Sequence, residues 1–177
     1  MIVRGTALVS ALLLFGVMPT SLGAAQQGLE LAADYSSAVL IGNLRGPAKE
    51  PFRLEIDCMP PPGSKPLPGT EVLGYLGTDG EAPRCLVSTL KLAIGGKAIR
   101  FPQRSIADLG NVVIPRGVFL TSRDRTVVLH IKGGDGAAAY EVRFLIEQGR
   151  VTFREVETMD VEGELGVKCE SLAGEKE

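Results

Sequence analysis

Between Arg125 and Val156 apolar residues recur at every second position: Val127, Leu129, Ile131, then Tyr140, Val142, Phe144, Ile146, then Val151, Phe153. Successive side chains of a strand point to opposite faces, so a period of two marks strands buried on one side only. Asp135-Gly136 and Gln148-Gly149 interrupt the pattern, and both read as two-residue hairpin turns that require positive φ. A turn at 135–136 sets Ile131 opposite Tyr140, Leu129 opposite Val142 and Val127 opposite Phe144. A turn at 148–149 sets Ile146 opposite Val151 and Phe144 opposite Phe153. Directly opposed residues share a face, so both registers gather the apolar side chains on one side of a three-stranded meander.

The same registers collect a polar set on the other side. His130 falls opposite Glu141, Val128 opposite Arg143, and Arg143 opposite Arg154, with Lys132 nearer the first turn. His130, Glu141, Arg143, Arg154 and Lys132 are therefore the candidate ligand- or partner-binding residues. The plainer expectation is a solvated face whose charges compensate one another, because isolated surface charges contribute little.

Elsewhere the chain repeats the short-strand pattern. Ser37 to Arg45 and Phe52 to Asp57 read as strands around a turn at Gly46-Pro47. Leu90, Leu92 and Ile94 rise to Gly95-Gly96, and Ile99 and Phe101 descend from it, which pairs Leu92 with Ile99 and Leu90 with Phe101. Val112–Ile114, Val118–Leu120 and a last stretch carrying Leu165, Val167 and Cys169 add short strands. Ser105 to Asp108 reads as a capped helical turn, and residues 26 to 34 as a loose lead-in. With no long amphipathic helix, the expectation is all-β: an antiparallel β-sandwich or small barrel of about eight to ten short strands.

Residues 1–25 have the form of a secretory signal peptide: Arg4, an apolar run from Ala7 to Met18, then small residues through Ala25. The apolar run is too short to span a bilayer. The rest, 26–177, is expected to be a single β domain, periplasmic or secreted, with no membrane span after cleavage. Its leader removes one positive charge, Arg4, leaving 18 basic against 21 acidic residues. That balance, with few aromatic residues, argues against nucleic acid.

Export makes disulfides available to Cys58, Cys85 and Cys169. Cys58 ends one strand-like run and Cys85 begins another, so a Cys58–Cys85 bond would close the Pro/Gly-rich loop of residues 59–84. Within that loop Tyr75 and its neighbouring leucines suggest a short strand. Cys169 is left free, buried or able to cross-link, and sequence alone leaves its bonding to either of the others open.

Signatures of chemistry are sparse. Ser88-Thr-Leu-Lys91 spells S-x-x-K, but that motif needs a helix to bring both ends to one face, and the flanking period is two. Gly133-Gly134-Asp135-Gly136 lacks both the repeat of a calcium nonapeptide and the Lys-Ser/Thr of a phosphate loop. His130 is the single histidine, without clustered metal-ligand spacing, so neither a metal nor a cofactor is expected. Beside Glu141 it has the makings of an acid–base pair, which keeps a hydrolase with a dispersed site as a third possibility. The leading expectation is an exported, non-catalytic binding protein that contacts another protein as an inhibitor, immunity-like or envelope accessory factor. The alternative is a small-ligand or anion binder using the polar face of the meander.

Overall fold

The computed structural model describes residues 25–31, 36–45, 49–61, 75–78, 82–123, 125–159 and 165–172. The expected signal peptide up to residue 24 and most of the Pro/Gly-rich loop lie outside these residues. Among the described residues ten strands form two antiparallel sheets, each a simple meander in chain order. The first holds β1 (Ala25–Leu31), β2 (Ser37–Asn43), β3 (Pro51–Met59), β4 (Leu86–Ile94) and β5 (Lys97–Ile99). The second holds β6 (Val118–Arg123), β7 (Thr126–Gly133), β8 (Tyr140–Glu147), β9 (Arg150–Met159) and β10 (Leu165–Ser171). Residues 26 to 31 are therefore not a loose lead-in: they sit in β1, paired with β2.

The alternation explains how the sheets meet. Leu40, Leu54, Ile56 and Leu92 from the first sheet and Leu120, Leu129, Ile131, Val142 and Phe144 from the second are almost wholly buried in one continuous core. Phe144 meets Phe101 edge-on, with ring centroids 5.2 Å apart and planes at 84°. Burying one face of each sheet against the other is the economy of a β-sandwich, and the assembly is not a closed barrel. Among the described residues, no helix is long and apolar enough to cross a membrane.

The turn at 148–149 forms as its sequence predicts, with Gln148 at φ 52°, Gly149 at φ 78° and Ile146 opposite Val151. One pair further on, the register changes. Leu145 faces Phe153, leaving Thr152 as an extra residue in β9, a bulge whose carbonyl accepts the Leu172 N–H at 3.0 Å. An odd insertion reverses the phase of all that follows. Phe144 consequently faces Arg154, not Phe153, and Arg143 faces Glu155, not Arg154. The two arginines are spared direct opposition.

The turn at 135–136 does not form. Residues 134–139 make the connection, including a short 3₁₀ turn at Gly136–Ala138. Leu129 pairs with Phe144 and Ile131 with Val142, a slip of two from the expected register, which leaves every side chain on its expected face. The cause is Tyr140, whose ring lies over Gly133, where an added Cβ would stand 2.5 Å from the phenol oxygen. Pairing Tyr140 with Gly133 gives the ring room, and its hydroxyl donates to Gly110 O at 2.9 Å.

The hairpin at Gly95-Gly96 has the expected Leu92–Ile99 pair, but β5 ends at Ile99, so Leu90 and Phe101 are not paired. Val112–Ile114 makes a single bridge, Val112 to Gly133, and is not a strand. Likewise Leu76 makes one bridge to Leu109. The helical turn is a 3₁₀ turn at Gln103–Ser105, with the Ser105 hydroxyl donating to Pro102 O at 2.7 Å. Ser88 lies in β4 and donates to Asp57 O, so S-x-x-K has no helix.

Candidate functional site

On the outward face of the second sheet the register sets His130 opposite Arg143 and Lys132 opposite Glu141. The two-residue slip makes His130 and Glu141 diagonal neighbours, yet Nδ1 of His130 still reaches Glu141 Oε1 at 2.7 Å. Such diagonals are within range of long side chains. On the other side of the ring, Nε2 meets the Thr121 hydroxyl at 2.9 Å. Phe119 stacks on the imidazole with centroids 4.5 Å apart and planes 8° from parallel, and Lys132 Nζ stands 5.7 Å from the Phe119 centroid.

Glu141 is the hub. Besides His130 it holds Lys132 Nζ at 3.1 Å and Arg143 Nε at 3.2 Å. Arg143 continues outward, donating Nη1 to Glu155 at 3.2 Å and Nη2 to Glu157. Burial pushes the Glu141 carboxyl up, but hydrogen bonds from His130, Lys132 and Arg143 outweigh it and bring the pKa down to about 2. For Arg143, burial works against the charged form, and the hydrogen bonds it donates to Glu141, Glu155 and Glu157 raise its pKa on balance.

A carboxyl whose pKa is depressed on folding stabilises the protein fully above its ordinary value, and that contribution is lost as pH falls through the folded value. Glu141 should therefore steepen the loss of thermal stability between about pH 4.5 and 2. Glu141→Gln is expected to flatten the melting temperature against pH in that window, relative to the parent. Parallel curves for the two proteins would show that the carboxylate is not held as described.

The structure thus brings His130, Lys132, Glu141 and Arg143 together and takes Arg154 away from them. After the bulge Arg154 points inward and is 6% exposed. Its Nη2 contacts both carboxylate oxygens of Asp108 at 2.7 Å, while Nη1 is 3.7 Å from Glu170. A buried guanidinium needs such partners to offset its desolvation. Its role is to tie the segment between the two sheets to β9. Nearby, burial raises the pKa of Tyr140.

Sequence reasoning missed Phe119, Thr121, Glu155 and Glu157. All four face outward; extending the alternation into β6 would have found Phe119 and Thr121, whereas Glu155 and Glu157 reach that face only because the Thr152 bulge reverses the phase of β9. Nothing in the sequence marks Asp108 as the partner of Arg154.

Chemically, Thr121, His130 and Glu141 stand in the hydroxyl–imidazole–carboxylate order that activates a nucleophile. Glu141, however, is shared among three cationic or donor groups, and the row lies on an open sheet face. No three His, Cys, Asp or Glu among the described residues form a group suited to hold a metal ion. Cys58 and Cys85 are bonded, with Cα atoms 5.5 Å apart, and Cys169 is free and exposed on β10. No known protein family, curated protein or solved structure matches the chain.

Proposed function

We propose that this is an exported, non-catalytic binding protein whose target is another protein. The observation that carries the reading is the closure of the outer polar face: each cation of the row, Lys132 and Arg143, is already engaged by a carboxylate of the same sheet. A face so satisfied offers an anion little, which argues against the anion-binding alternative there. Large apolar side chains are exposed instead on the disulfide-closed loop, Met59 at its start at 56% and Tyr75 within it at 41%. Exposed apolar and aromatic groups on a tethered loop suit a protein contact. The disulfide also supports an oxidising, extracytoplasmic location, periplasmic or secreted.

The test is capture from an envelope extract by the immobilised protein, with Met59→Glu/Tyr75→Glu and Lys132→Gln/Arg143→Gln variants alongside. A partner retained by the second pair and lost with the first supports this reading. Equal capture by all three forms would sink it. Turnover of an activated ester, abolished in His130→Ala, would replace it with a hydrolytic function built on the Thr121–His130–Glu141 row.

A further inference from the structure

The two ends of the sandwich are finished differently. Strand pairing places the turns β2–β3, β4–β5, β6–β7 and β8–β9 at one end and the remaining hairpin connections at the other. At the latter end the segment between the sheets is packed in: Ile106, Leu109 and Ile114 are buried, and backbone hydrogen bonds link Leu76 to Asp108, Val87 to Leu109 and Gly134 to Asn111. The former end is open. A cleft of about 520 Å³ runs between the sheets there, with Leu44, Ile94, Ile99, Val127 and Ile146 along its walls. Its volume lies within the range of roughly 300–1,000 Å³ common for small-ligand sites.

The rim of this cleft carries Lys49, Lys97 and Arg125, all exposed and none in an ion pair with any described residue, against one carboxylate among the described lining residues, Glu50. The whole chain has a net charge of −2, so a cationic rim runs against the average. Contrast the outer face, where every cation of the row is spoken for by a carboxylate. Apolar walls between two sheets leave a slot suited to an alkyl chain, and uncommitted cations at its mouth attract an anionic head. A neutral apolar ligand would leave that rim unused, and a cationic one would be repelled by it.

We propose that the open end of the sandwich binds a single-chain amphiphilic carboxylate, a free fatty acid, with its tail between the sheets and its head at Lys49, Lys97 and Arg125. The site shares no residue with the His130 row or with Met59 and Tyr75, so it stands or falls apart from the protein-partner reading.

Calorimetric titration of the purified protein with sodium dodecanoate tests this, with dodecyltrimethylammonium as a probe of equal tail and opposite charge. Saturable dodecanoate binding is expected, clearly tighter than binding of the cation and weakened by salt. Lys49→Glu with Arg125→Glu should lower the dodecanoate affinity roughly tenfold. The pair is exposed, and an unchanged melting curve checks that the fold survives. Val127→Phe, which narrows the slot from a half-buried position, should weaken dodecanoate without altering the rim. Absence of saturable binding, equal affinity for the cation, or undiminished affinity in the rim variant would overturn the proposal. So would uptake onto phosphatidylglycerol vesicles without binding of monomeric dodecanoate.

Discussion

Phe144→Ala should destabilise the protein by about 4 kcal/mol, within the range typical of emptying a buried aromatic site. Phe144 is wholly excluded from solvent in the middle of β8, facing Leu129 across the ladder and Phe101 edge-on across the core. Removing it takes away both the buried apolar area and the aromatic contact, which is itself worth about 1 kcal/mol. The surrounding strands are fixed by hydrogen bonding to both neighbours and have little freedom to collapse into the void. In a domain of this size the melting temperature should fall by roughly 10 °C. Urea unfolding gives the free energy directly. A cost below about 1 kcal/mol would mean that the two sheets do not meet at this residue.

The second large effect belongs to the Cys58–Cys85 bond. Its ends are 27 residues apart, and the span they enclose is rich in proline and glycine. On the chain-entropy account a loop of that length is worth about 3–4 kcal/mol, because the crosslink restricts the unfolded chain. Cys58→Ser with Cys85→Ser should lower the urea midpoint accordingly while leaving β-sheet circular dichroism intact. The parent protein should present one thiol to alkylation under native conditions, that of exposed Cys169. Three reactive thiols without reduction would refute the pairing.

Both sheets' inward faces were legible because a period of two needs only neighbouring residues to be read. The correct faces survived a wrong register at β7–β8, since the slip was even and Leu129, Ile131, Val142 and Phe144 kept their side. An odd event is less forgiving. The Thr152 bulge sent Arg154 from the expected outer row into the interior, and nothing local in Gln148–Arg154 announces an extra residue. Four of the five proposed site residues do share a face, and the His130–Glu141 contact formed despite the change of partners. What could not be read was anything set by distant chain. The Tyr140 hydroxyl on Gly110, the Asp108 carboxylate on Arg154, and the cleft between two sheets each depend on packing between segments far apart in sequence. β1 was missed for another reason: Gln26, Gln27 and Gly28 hide its alternation.

Each sheet is built from one unbroken half of the chain, with neighbours in sequence always neighbours in space. Strand assembly therefore asks for little search except at β3–β4, whose connection spans residues 60–85: elsewhere a hairpin zips and the next strand adds to its edge at small loop-closure cost. Apart from the β3–β4 pairing, it is the docking of the halves that joins remote residues, and that step removes both greasy faces from water. Cooperativity in this molecule resides in the seam, so the seam is also where a ligand or a mutation has most leverage over the whole.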